Sequence, residues 1–352
     1  MKYMQYPALD LLRALAAFEV LLVHVRGAAF VEFGALPDYQ HTPLMAGFFA
    51  MTRLGQEAVM VFFVLSGFLV GGQVIRRVSR GIFDIRAFAV DRTTRLLIPL
   101  VPAVLIASVL QSVLQATPPS TQIFGNMLGL NDLLVPTLDF IPPLWSLTYE
   151  IWFYILAGAI GSVVSSRSPL GAVVICCCVL VFAKLSALYL LFWALGAGAA
   201  SFYDLPMRKA ASAALIAVPL VVFGVLSFQI SYASKSFENH VYVSSNVALA
   251  LIATGIALSL PFLVSRRVSA FLKPVARLSS AAAAFSYTLY LTHYPVEMAL
   301  DPWLGRAPSV TAASLTTFGL RIAIALITAS VLYWLFERNT PAARSFLIGE
   351  RQ

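Results

Sequence analysis

The sequence predicts an all-α membrane protein of about ten transmembrane helices with both termini cytoplasmic. Three observations carry that prediction. The first is composition: 60% of the 352 residues are hydrophobic, only 11% are charged, and the mean hydropathy is +0.85. Soluble domains carry about 25% charged residues, and no single water-soluble core could hide so much apolar surface. The second is the set of apolar runs near 8–27, 54–74, 96–115, 143–164, 169–184, 185–203, 210–228, 241–263, 281–300 and 309–336. Most approach the ~20 residues that a spanning helix needs. The third is charge asymmetry. Of the 24 Lys and Arg, five (Arg26, Arg53, Lys184, Lys235, Arg306) fall in outer segments, Arg321 lies inside the last span, and the other 18 fall in inner ones. Positive loops are retained on the cytoplasmic side, which fits ten spans and an inner-membrane, multi-pass location.

Each run has its own logic. The first contains Arg13, Glu19 and His24 and has no small-residue cleavage site, so it reads as a retained helix rather than a signal peptide. The fifth and sixth are separated only around Lys184 and Ser186 and form the least secure hairpin. Segment 117–143 holds Asp132 and Asp139 but no Lys or Arg, as an outer loop would. Residues 1–352 are expected to form one membrane domain with no fused soluble domain. The net charge of +8 is accounted for by these loops, without aromatic–basic interleaving of the nucleic-acid kind, so no nucleic-acid partner is expected. Cys176, Cys177 and Cys178 are adjacent in an apolar run. They read as small helix side chains rather than a disulfide framework or metal site, and no metal site is expected.

The informative residues are those that cost energy to bury. A charged side chain at the bilayer centre costs about 2.5–3.5 kcal/mol on insertion scales. Arg13 and His24 are eleven residues apart, which returns them to within roughly 20° of one helix face and separates them by about 16 Å along the axis. That places Arg13 at the cytoplasmic lip and His24 deeper. Glu19 is about 140° round from His24 and is not expected to orient it. In the fourth span Ser146 and Glu150 share a face; capping by Ser146 and interfacial anchoring by Trp145 explain those two residues but not Glu150. In the ninth, Ser286, Tyr290, His293 and Glu297 form a polar stripe, and Pro295 is expected to bend the helix just beyond His293. Arg321 lies too deep to snorkel and should meet Glu150, Glu297 or Glu19. Arg92 and Arg95, one turn apart before the third span, suit a phosphate or pyrophosphate, although taken alone they are better accounted for by positive-inside anchoring.

Together these segments resemble the membrane acyltransferase family 3, polytopic O-acyltransferases of bacterial glycans. The first-span signature is similar to Leu9-Asp10-Leu11-Leu12-Arg13-Ala14 with His24 at the Arg-x10-His spacing. The second resembles Val61-Phe62-Phe63-Val64-Leu65-Ser66-Gly67-Phe68-Leu69, and the Arg-x-x-Arg signature falls on Arg92 and Arg95. Ser146 and Glu150 match Ser-x-x-x-Glu, Ser286 to Pro295 match the late Ser-Tyr-x-Leu-Tyr-Leu-x-His-x-Pro segment, and Phe336-Glu337 with Pro341 closes the series. Leu11 stands where a small residue is usual, Pro341 is further from Glu337 than is usual, and Glu19 and Arg321 belong to no carried-over motif.

The resemblance implies transfer of an acyl group, usually acetyl, from cytoplasmic acyl-CoA to a hydroxyl of a carbohydrate or glycolipid acceptor, with no tightly bound cofactor. With the residue reading, it casts Arg13, Arg92 and Arg95 as acyl-CoA-binding residues, His24 and Glu150 as catalytic, and Ser146 and His293 as supporting; a supporting role for Arg321 rests on this sequence alone. His24 either deprotonates the acceptor or carries the acyl group itself. A glycan or lipid-linked sugar transporter is the competing reading, since intramembrane charges and a broken ninth helix fit that class. A non-catalytic component of a polysaccharide assembly system is a third.

Overall fold

The computed structural model describes residues 6–233 and 244–349. Lys2, Lys235, Arg351 and the start of the 241–263 run lie outside the described residues. Within them the chain is helical, with no strand beyond two isolated bridges. The helices are α1 (Pro7–Ala29), α2 (Pro43–Met51), α3 (Gly55–Ser66), α4 (Gly72–Ser79), α5 (Ile85–Leu114), α6 (Ser120–Met127), α7 (Leu144–Ser166) and α8 (Pro169–Lys184). They continue as α9 (Ala187–Ala199), α10 (Met207–Ala233), α11 (Ser245–Leu263), α12 (Arg266–Phe271), α13 (Ala276–Ala284), α14 (Ser286–Leu304), α15 (Ala312–Leu335) and α16 (Thr340–Ile348).

Their starts follow from local chemistry. Thr42 accepts the Met45 amide at 3.3 Å with Pro43 opening α2, and Ser168 accepts the Gly171 amide at 3.1 Å with Pro169 opening α8. A proline is harmless there because the first-turn N–H has no intrahelical partner. Thr311 and Ser314 form a reciprocal capping box at the start of α15.

Six helical stretches are long and apolar enough to cross a membrane: Pro43–Ser79, Ile85–Leu114, Leu144–Ser166, Met207–Ile230, Ser245–Leu263 and Ala312–Ile348. α8 and the stretch Ala187–Phe202 are apolar but shorter. α1 and α14 are long enough, but their apolar character is diluted by Asp10, Arg13, Glu19 and Arg26 in one and by Glu297 and Asp301 in the other. The protein is therefore a multi-pass membrane protein, and the candidate site residues His24 and His293 sit on α1 and α14, the two long helices outside that set of six. α14 is a single helix through Pro295 and Pro302. Cys176 and Cys177 are exposed and Cys178 is buried on α8.

The chain forms two compact units, each assembled from three segments. The first comprises Met1–Ala16, Gln56–Ile85 and Tyr149–Ala283. In it α10 packs along α11, and α9 packs on a π-helical turn, Gly67–Gly71, that joins α3 to α4. A π-turn inserts one extra residue and often marks a functional site. Here it brings backbones into contact. A Cβ on Gly67 would stand 1.9 Å from the Trp193 carbonyl oxygen, and one on Gly196 would stand 2.0 Å from that of Val64. Neither obstacle is a movable side chain, so Gly67→Ala or Gly196→Ala must force α3 and α9 apart. The expected result is a severe drop in folded, detergent-extractable protein, read by fluorescence-detected size exclusion, whereas Gly198→Ala, which meets nothing within 4 Å, leaves the yield intact.

The second unit comprises Ala17–Gly55, Arg86–Thr148 and Ala284–Gln352. Its best-packed pair is α14 with α15. At the C-terminal end of α1 an aromatic cluster of Phe30, Phe33, Phe48, Phe49 and Phe318 encloses the following loop. Gln40 locks that loop by donating to the Val310 carbonyl at 2.7 Å and accepting the Val310 amide at 2.8 Å.

Candidate active site

In the second unit, α1 and α14 bring two histidines together. The His24 and His293 rings lie 5.1 Å apart between centroids, and the Tyr294 ring meets His24 edge-on at 5.2 Å. His24 is partly buried, while His293 is fully enclosed. His293 Nδ1 lies 3.0 Å from the Leu289 carbonyl oxygen. A carbonyl only accepts, so Nδ1 carries the hydrogen, and in the neutral ring Nε2 is left with its lone pair as an acceptor.

One turn before His293, the Tyr290 hydroxyl lies 2.5 Å from Ser146 Oγ, and both hydroxyls reach the Pro143 carbonyl, at 3.0 and 3.2 Å. Ser146 is thus not the helix cap expected from its position near the start of α7. It ties that helix to the polar stripe of α14. The stripe ends at Glu297, which accepts Arg321 Nη1–H at 2.7 Å. The other arm of Arg321 donates to the Gly305 carbonyl at 2.9 Å and lies 3.7 Å from Asp301. Of the three glutamates considered for Arg321, the structure selects Glu297. Glu19 instead accepts the Leu54 amide at 3.0 Å.

The first turn of α14 is held by Glu337, which accepts both the Thr288 amide, at 3.2 Å, and its hydroxyl. A carboxylate suits that position because the first-turn N–H groups have no partner in the helix and the helix dipole is positive there. Tyr287 adds a bond to the Leu96 carbonyl of α5 at 3.3 Å. On α5, Arg92 pairs with its neighbour Asp91 and lies over the Phe88 ring at 5.8 Å, while Arg95 is exposed. The second Asp91 oxygen meets Arg344 of α16 at 3.0 Å. Asp91 thus orients two guanidinium groups, a role that nothing in the sequence signalled.

Glu150 and Arg13 belong to the first unit. Ser66 donates to Glu150 Oε1 at 2.8 Å, and its oxygen accepts the Trp193 indole N–H at 3.2 Å. The hydroxyl hydrogen is thereby directed at the carboxylate. Ser66 stands at the lip of the π-turn, so the close packing of Gly67 on α9 also aims this bond. Sequence reasoning quoted Ser66 within a motif and gave it no part; its place immediately before the motif glycine was the signal. Arg13 Nη2 lies 3.4 Å from the Ala283 carbonyl and 3.9 Å from Asp10.

The second unit therefore holds a partly buried and an enclosed imidazole, two linked hydroxyls and an ion pair on adjoining helices. Such a set can accept and return protons. No curated protein and no solved structure matches the chain. The family model described as an acyltransferase domain matches residues 6–337, nearly the whole chain and both compact units. The order of motifs from the first helix to Glu337 is thereby explained, and the protein belongs to the acyltransferase 3 family of membrane acyltransferases.

Proposed function

We propose that this acyltransferase moves an acyl group, acetyl in the first instance, from cytoplasmic acyl-CoA to a hydroxyl of a glycan or glycolipid. The observation that carries the reading is His24: an imidazole on the Arg-x10-His helix, set against a second buried imidazole 5.1 Å away. In this reading all ten apolar segments lie in a bacterial inner membrane, both termini face the cytoplasm, and Arg13, Arg92 and Arg95 are the acyl-CoA-binding residues.

His24 takes the proton of the acceptor hydroxyl as its oxygen attacks the thioester carbonyl. The carbon–sulfur bond then breaks, and the departing thiolate recovers the proton to leave as the CoA thiol. If His24 instead carries the acyl group, its ring nitrogen makes the first attack and the acceptor the second. Imidazole suits either course because it exchanges a proton near neutral pH. Glu150, kept in place by Ser66, is the second catalytic candidate, and the Ser146–Tyr290 pair ties the start of α7 to α14.

Label transfer from radioactive acetyl-CoA to membrane glycans, with and without His24, tests the reading. Substrate movement without label transfer would establish a transporter instead. The donor side makes a separate prediction. A charge-assisted hydrogen bond contributes about 1.5–3 kcal/mol, so Arg95→Ala should raise the KM for acetyl-CoA about tenfold or more while kcat changes little. Steady-state kinetics at saturating acceptor reads that split.

A further inference from the structure

α14 carries two hydrogen-bond acceptors that are buried in the span with nothing to accept from. His293 Nε2 is one, because its ring hydrogen is committed through Nδ1 to Leu289. Glu297 Oε1 is the other, because Arg321 occupies Oε2. His293 is 0% and Glu297 3% exposed. They stand four residues apart, on one face of the helix with about 5–6 Å between their Cβ atoms. Neither can satisfy its neighbour, since neither offers a hydrogen. Leaving a buried polar group without a partner is costly, and ionisable residues kept inside a span mark substrate paths.

From this pattern we infer that His293 and Glu297 grip two adjacent hydroxyl groups, a vicinal diol, on the acyl acceptor. One hydroxyl donates to His293 Nε2 on binding, which places its oxygen beside the neighbouring His24 ring, and its single hydrogen turns to His24 as the oxygen attacks. The other donates to Glu297 Oε1. Arg321 Nε is also buried without a partner, and a hydroxyl, unlike an ammonium group, can accept that hydrogen while donating its own. The hydroxyl to be acylated is therefore one that has a hydroxyl on the next carbon, and Arg321 acts as the positioning residue that keeps Glu297 turned to it.

This inference rests on the acyl-transfer reading, and one experiment separates the two. Purified full-length protein is given radioactive acetyl-CoA and membranes from a strain lacking its gene. The membranes are either untreated or oxidised with periodate, which cleaves the bond between adjacent hydroxyl-bearing carbons, and then reduced with borohydride. Wild-type protein should label untreated membranes and label treated ones about tenfold less or lower still. Glu297→Gln gives its amide oxygen to Arg321 and turns a donor toward the site. The amount of acceptor membrane needed for half-saturation should rise about tenfold, with that for acetyl-CoA unchanged, a split that mere loosening of the fold would not produce. If the single variant fails to fold, the neutral pair Glu297→Gln with Arg321→Gln makes the same measurement. Equal labelling of periodate-treated membranes, or unchanged acceptor half-saturation in the variant, would overturn the diol grip and leave acyl transfer standing. Absence of label on untreated membranes with wild-type protein would remove acyl transfer itself, and the grip with it.

Discussion

His24→Ala is expected to abolish acyl transfer, lowering kcat by about 10²–10⁴-fold, the usual contribution of a positioned general base. His293, the neighbouring imidazole, has its Nδ1 committed to Leu289 and its ring enclosed, so it holds the hydroxyl rather than carrying its proton away. The protein should still fold. His24 is only partly buried, and its described ring contacts are with His293 and Tyr294. Exogenous imidazole should therefore return part of the rate, because it can enter the space left by the truncated ring. A His24→Ala protein that is expressed normally and transfers label at the wild-type rate would remove His24 from the chemistry.

Arg321→Met should have the largest effect on stability. Arg321 is completely buried, and its loss leaves the Glu297 carboxylate uncompensated in the same low-dielectric surroundings. Removing one partner of a buried ion pair costs about 3–5 kcal/mol, whereas replacing both by apolar or neutral groups is often nearly neutral. The single variant should thus be recovered in low yield and unfold at a much lower temperature in detergent. The pair Arg321→Met with Glu297→Gln should regain most of that loss. Thermal unfolding of the two proteins side by side reads the difference. If the single and double variants unfold together, the ion pair is not what holds α14 to α15.

The two predictions separate chemistry from architecture within one pair of helices. α14 needs both. Glu337 holds its first turn, Tyr290 ties its middle to Ser146, and Arg321 anchors its far end. The one segment of the stripe left for a ligand is the face around His293 and Glu297.

Apolar runs, caps and helical spacing are properties of the chain taken a few residues at a time, and they were legible directly. The helices that the described residues form along the apolar runs, and the order of the family motifs, could be read from hydropathy and motif spacing alone. Partner choice is different, because it depends on which helices pack and at what depth. Spacing could nominate three glutamates for Arg321, but the packing of α14 on α15 selected Glu297. A serine at the start of α7 reads as a cap until Tyr290 arrives from a residue 144 positions away. Ser66 is an ordinary motif serine until the π-turn and Trp193 direct its hydroxyl at Glu150. Local periodicity sets which side chains share a face. The burial of polar groups against a second helix decides which of them meet, because an unpartnered charge in an apolar interior costs more than any local preference can supply.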